Sequence, residues 1–269
     1  MLQRMEKQMS TRFLFIEYGN KDIYFKELKY SLMTLKSIHD LNADDVYVYT
    51  ENVDRYKDLP ITPVSIKDDV ASYSLGGSYH FRIKPMVIRR ALQELPVSNN
   101  LFFVDTDTYI KSSLSQRISE IKPDVVLMNE FEKTNPYPGS ILNNLLLPSG
   151  LMYSYSPNLS HMFNSGVLGA SGVHELIFAD AVAIIDGMLD AGFKAHTIEQ
   201  CAVSEAFRIH GVRIHEVKKE VVHYWRGTDK KYMQYQLDHH FSVESSDRAL
   251  PFFKISHNWF LARWHKLLS

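Results

Sequence analysis

The sequence predicts an α/β protein, a mostly parallel sheet flanked by helices, and three observations carry that expectation. Short apolar runs alternate with amphipathic stretches through the first half of the chain, the order expected of strand–helix–strand units. The 269 residues are 45% hydrophobic and 23% charged, a composition able to bury a sizeable core. The run Leu101-Phe102-Phe103-Val104 reads as a strand buried on both faces and delivers Asp105 and Asp107 to its end. Ligands of open α/β sheets bind beyond the carboxyl ends of the strands.

Each element follows from its local pattern. Arg12 to Glu17 is a short apolar strand, closed by the turn-like Tyr18-Gly19-Asn20. Phe25, Leu28, Leu32 and Leu35 then share one helical face. Val46 to Tyr49 and Ile61 to Ile66 read as a second and third strand, and Phe81 to Leu95 as a helix with Pro85 in its first turn. The strand ending at Asp105 comes next, then one over Val125 to Met128. Residues 134 to 158 are rich in Pro, Gly, Asn and Ser, which predicts a long loop of functional weight. Regular pattern returns at Val167. A helix follows with Ile177, Ala181, Ile184, Ile185 and Met188 on one face, and another starts near Thr197. Strands over Val212 to Val217 and Val221 to Trp225 complete the set.

Charge and cysteine content narrow the function classes. Lys plus Arg (30) balances Asp plus Glu (31) to a net charge of −1, which argues against a nucleic-acid partner. The lone Cys201 can form no internal disulfide, as suits a reducing cytosol. The opening MLQRMEKQMSTR lacks the apolar core of a secretory signal, and no window approaches 18 uninterrupted apolar residues. The expectation is a cytoplasmic protein whose only membrane contact would be peripheral, at the inner face. From Arg248 onward the chain has no acidic residue, and Phe253, Phe260, Leu261, Trp264, Leu267 and Leu268 cluster on a helical wheel. Such a helix either lies in a membrane interface or caps its own domain.

Four segments hold the candidate chemistry. Two acids one residue apart at a sheet rim repel each other unless a proton or a cation neutralises them, and a divalent metal with a phosphate is the common answer. A solvated Asp-Thr-Asp turn is the plainer account. In Phe163-Asn164-Ser165-Gly166-Val167-Leu168-Gly169, the glycines permit close backbone approach to a ligand, and Asn164 offers donor and acceptor; a bulged strand would look the same. Thr197 and Gln200 match a capping box, with Glu199 suiting the helix dipole, yet an acid and an amide there could also face a cleft. His223-Tyr224-Trp225-Arg226-Gly227-Thr228-Asp229-Lys230 brings an imidazole and a cation to one loop. An imidazole joining carboxylates favours Mn²⁺ over Ca²⁺, with Mg²⁺ as the alternative.

In order and spacing these segments resemble the GT-A fold glycosyltransferases that use nucleotide sugars, in particular the glycogenin and bacterial lipopolysaccharide galactosyltransferase group. The resemblance spans about residues 12 to 230: Asp-x-Asp after an apolar strand (Asp105, Asp107), Phe-Asn-x-Gly (Phe163 to Gly166), an acid–Gln pair opening a helix (Glu199, Gln200) and a late element, His-x-x-Gly-x-x-Lys in the family and His223-x-x-x-Gly227-x-x-Lys230 here. It implies a GT-A domain over 1–245, followed by a basic aromatic tail over 246–269. It implies Asp105, Asp107 and His223 as metal ligands, with Asp105 also reaching the ribose. Tyr18, Arg82, Lys84, Gly227 and Lys230 would hold the nucleotide diphosphate, and Asn164, Glu199 and Gln200 would carry catalysis, facing donor sugar and acceptor. Cofactor and partners would be Mn²⁺ or Mg²⁺, a UDP-sugar donor and a glycan or lipid-linked acceptor. The chain departs from the family in three places. His223 to Gly227 is one residue longer, leaving Arg226, Lys230 and Lys231 as alternatives for the diphosphate; Glu199 stands where Asp is usual; and Glu17-Tyr18-Gly19-Asn20 replaces an Asp-Asn-Tyr pattern. Retention of anomeric configuration is implied, whereas Glu199 acting as a general base would give inversion.

Two other readings use the same residues. A haloacid dehalogenase-type phosphatase also places Asp-x-Asp after an apolar strand, but needs a downstream acidic pair that this sequence lacks. A binding protein without turnover would keep the fold and has no need of all three of Asp105, Asp107 and His223.

Overall fold

The computed structural model describes residues 10–19, 21–137 and 139–243. In chain order the elements are β1 (Thr11–Glu17), α1 (Asp22–Ile38), β2 (Val46–Thr50), β3 (Thr62–Ser65), α2 (Val70–Tyr73), α3 (Ile83–Gln93), β4 (Asn100–Val104), β5 (Thr108–Ile110), α4 (Ser115–Ile118), β6 (Val125–Met128), β7 (Phe131–Thr134), β8 (His161–Phe163), β9 (Val167–Ser171), α5 (Glu175–Asp190), α6 (Ile198–Ile209), β10 (Arg213–Glu216), β11 (Val221–His223) and α7 (Gly227–Val243). Seven strands form the main sheet in the order β10-β6-β9-β4-β1-β2-β3. All neighbours run parallel except β9, which is antiparallel to both β4 and β6. This is the mostly parallel sheet that the sequence predicts.

The period of two along each strand divides the core into two layers. Leu14 and Ile16 of β1, with Leu101 and Phe103 of β4, pack against α3, α5 and α6. Phe13 and Phe15, with Phe102 and Val104, pack on the opposite face against Leu28, Leu32 and Leu35 of α1. The long loop between β7 and β8 contributes Leu142, Leu147 and Tyr153 to the first layer, so it is largely anchored on the core. Among the described residues no helix is long and apolar enough to cross a membrane. The tail over 246–269, with its proposed amphipathic face, lies outside the described residues.

Several elements differ from the sequence expectation, among them the short α2, β5 and α4, which it does not contain. The helix α7 is not predicted by sequence, because polar residues surround it. It docks through Tyr232, Met233 and Leu237 onto Tyr30 of α1 and Tyr224, forming a small third core. The β7–β8 hairpin is likewise unpredicted; its two strands flank the stretch over 134–158 whose composition reads as loop. The helix near Pro85 begins at Ile83 after a turn of 3₁₀ helix over His80–Arg82.

Topology decides what meets at the carboxyl edge. β1 and β4 are parallel, so Glu17-Tyr18 and Asp105 leave the sheet on the same side. Because β9 runs the other way, with Val167 opposite Val104, its entry segment Asn164-Ser165-Gly166 arrives at that same edge. The Asp105 N–H donates to the Gly166 carbonyl at 2.8 Å. Beyond the rim β5 pairs with β11, and His223 stands opposite Thr108.

Candidate functional site

At this edge lies a cavity of about 720 Å³ whose lining includes Tyr18, Lys84, Asp105, Asp107, Glu199 and His223. One ligand atom from each of Asp105, Asp107 and His223 can be chosen so that all lie within 4.8 Å of one another. His223 Nε2 is 3.1 Å from Asp107 Oδ1 and 3.8 Å from Asp105 Oδ2. Its ring sits where only a glycine can stand: a Cβ on Gly166 would lie 2.1 Å from His223 Nδ1. The close approach that glycine permits here is to the imidazole.

Hydrogen bonds determine which way that imidazole faces. Asn164 Nδ2 donates to Glu132 Oε1 at 2.9 Å, so its Oδ1 points toward His223 and also accepts the Gly166 N–H at 2.9 Å. His223 Nδ1, 2.8 Å from that oxygen, must therefore be the donor. Nε2 is left facing the carboxylates, on the side where a metal ion would be held. The donor set of two carboxylates and an imidazole nitrogen suits a divalent metal ion.

Two lysines balance the acids. Lys84 Nζ lies 3.0 Å from Asp105 Oδ2, 3.2 Å from the Ser165 carbonyl and 3.8 Å from Glu199 Oε2. Burial alone would lower its ammonium, but Asp105 and Glu199 outweigh this and raise it above the usual lysine range. Lys230 Nζ donates to Asp107 Oδ2 at 2.7 Å. Burial again opposes its charge, and Asp107 and Glu27 prevail to raise it. For Asp107 burial acts upward, yet His223 and Lys230 hold its carboxyl well below the usual range. The site thus carries two ammonium groups, one against each acid.

Glu199 opens α6 and is 2% exposed. Its Oε2 accepts a hydrogen bond from Ser165 Oγ at 2.7 Å, while Oε1 is buried with no hydrogen-bond partner. Burial raises its carboxyl against the opposing pull of Lys84. Beside it Gln200 Nε2 donates to Glu132 Oε2 at 2.9 Å. The capping box expected of Thr197 and Gln200 does not form: the Thr197 side chain makes no cap bond and pairs instead with the Tyr137 hydroxyl. Both capping partners are drawn to neighbours brought in by other elements.

Most of the residues singled out from sequence converge here; of the three alternatives for the diphosphate Lys230 lines the cavity while Arg226 and Lys231 do not, and two further residues stand apart. Arg82 does not line the cavity. Its guanidinium grips Asp186 at 2.7 and 3.0 Å and donates to the carbonyls of Ser72 and Tyr73, tying α5 to the turn before α3. Gly227 also lies outside the lining, as the first residue of α7. Tyr18 does line the cavity, its ring stacked on His80 with centroids 6.3 Å apart, and burial pushes its hydroxyl up to about 12. No described residue of the loop over 134–158 lines it. Conversely, Glu132 has no sequence signal: a single acid in FEKT looks like any solvated strand residue. Only the β7–β8 pairing turns it toward Asn164 and Gln200.

No family model matches the sequence, and no curated protein sequence matches it. Among solved structures the chain is similar to mouse xyloside xylosyltransferase 1 in its apo form, at 12% identity. The match covers 78% of this chain and 85% of that one, with a TM-score of 0.47.

Proposed function

We propose that this protein is a metal-dependent glycosyltransferase that moves a hexose from a nucleotide diphosphate sugar, a UDP-sugar in the first instance, to a hydroxyl of a glycan or lipid-linked acceptor. The observation that carries this reading is the convergence of Asp105, Asp107 and His223 between two ammonium groups on the rim of a cavity large enough for a nucleotide sugar. Asp105, Asp107 and His223 would hold the ion, which when bound supplies Lewis-acid neutralisation of a departing diphosphate.

The side chains around it have separable tasks. Lys230 and Lys84, now paired with Asp107 and Asp105, would turn to phosphate oxygens and donate hydrogen bonds to the leaving group. Tyr18 at the end of β1 would bear on the base. Glu199, with one carboxylate oxygen unpartnered, and Gln200 would meet sugar hydroxyls, which satisfy such groups well. Burial raises the Glu199 carboxyl, so it takes up a proton more readily than an exposed acid. Chemistry that relies on developing charge gains from the low dielectric of a partly enclosed cleft.

A thermal-shift screen of nucleoside diphosphates with and without Mn²⁺ tests this directly, because a ligand specific to the folded state raises Tm by mass action. The expected result is a shift with UDP that depends on Mn²⁺, together with UDP release from a UDP-sugar. Hydrolysis of p-nitrophenyl phosphate without such release would instead favour the phosphatase reading. Mn²⁺-dependent UDP binding with no release from any UDP-sugar would favour a binding protein.

A further inference from the structure

We infer that Glu132 is a positioning residue, which orients the Asn164 amide and through it holds His223 in the tautomer whose Nε2 is open to the metal. This inference rests on the metal site proposed above and adds a residue to it. A carboxylate accepts hydrogen bonds and donates none. Glu132 therefore forces Asn164 to present its NH₂ at 2.9 Å and its carbonyl toward His223 Nδ1 at 2.8 Å. Its second oxygen holds the NH₂ of Gln200, so both side-chain oxygens of Glu132 are engaged with cavity-lining amides. The relay runs from the β7–β8 hairpin, through the segment entering β9, to the end of β11, and so joins three separate sheets. Outer partners of a metal-bound imidazole fix both its tautomer and its orientation, and their loss typically costs about 10- to 100-fold in metal affinity.

The test exchanges the roles of the two partners. Glu132→Ala should bind Mn²⁺ about 10- to 100-fold more weakly by calorimetry. In the metal-free protein at alkaline pH, its His223 should lose the single Nδ1–H tautomer seen by imidazole ¹⁵N NMR. The double variant Glu132→Gln with Asn164→Asp keeps the net charge: the new amide donates, and the new carboxylate accepts from His223. It should restore both the Nδ1–H signal and wild-type Mn²⁺ affinity. A purely structural role would alter Tm without moving the tautomer. A folded Glu132→Ala protein with wild-type affinity and tautomer overturns the inference alone. So does a folded double variant that recovers neither, which keeps the test decisive if Glu132→Ala fails to fold. Wild-type protein that takes up no Mn²⁺ overturns the metal site itself, and the inference with it.

Discussion

Lys230 Nζ and Asp107 Oδ2 lie 2.7 Å apart although 123 residues separate them, so the first turn of α7 supplies a counter-cation to the acid that follows β4. This ammonium and a metal ion would compete for the Asp107 carboxylate, and the ammonium can meet a phosphate only by leaving it. Lys230→Met should therefore leave Mn²⁺ binding without nucleotide intact or stronger, while weakening Mn²⁺-dependent UDP binding by about tenfold, equivalent to about 1.4 kcal/mol. Calorimetry of the two titrations reads this. Equal losses in both would assign Lys230 to scaffolding alone.

Asp107→Asn preserves the shape of the side chain and removes its charge. Metal-dependent transfer should fall to background while the melting temperature changes little, since Lys230 keeps Glu27 as an electrostatic neighbour. An unchanged rate of UDP release in this variant would reject Asp107 as a ligand.

Gly166 and His223 are sterically interlocked. A methyl group at Gly166 would need the imidazole to move, so Gly166→Ala should destabilise the fold by about 1–3 kcal/mol, the usual cost of overpacking. It should also abolish Mn²⁺ uptake. Adding His223→Ala removes the clash and should return most of the stability without restoring the metal. Additive losses in urea denaturation would show that the two residues do not compete for the same space.

Glu27 of α1 is fully buried and accepts a hydrogen bond from Gln234 of α7 at 3.0 Å. Burial lifts its carboxyl from 4.5 to about 7, with Lys230 and Gln234 opposing the rise. The folded protein therefore binds this proton more tightly than the unfolded chain does. Stability from this group is full below the unfolded value of 4.5, declines as pH rises toward about 7, and stays reduced above it. Glu27→Gln should accordingly leave stability unchanged in mild acid and raise it by up to about 3 kcal/mol at alkaline pH. Urea denaturation at several pH values reads the difference, and a uniform offset across pH would sink the assignment.

The central strands of the main sheet were legible because burial on both faces demands apolar side chains along most of their length. Phe102, Phe103 and Val104 announce such a strand without any knowledge of their neighbours. The acids after it were legible for a similar reason: Asp105 and Asp107 are costly together without a cation. Gly166 could be recognised as a site of close approach, although its partner could not. Thr197 and Gln200 misled, because a local capping pattern competes with Tyr137 and Glu132 and these come from distant segments.

Chain-local chemistry by itself determined the α/β class, the carboxylate pair and the candidate ligands, since periodicity and like-charge repulsion act over a few residues. Tertiary structure alone decided that β9 runs antiparallel and brings Asn164 to Asp105, that α7 folds back to give Lys230 to Asp107, and that Arg82 belongs to Asp186. It also decided that Glu132 joins the site. Those pairings join residues far apart in the chain through strand register and helix docking, and no local rule encodes the partner of a polar side chain.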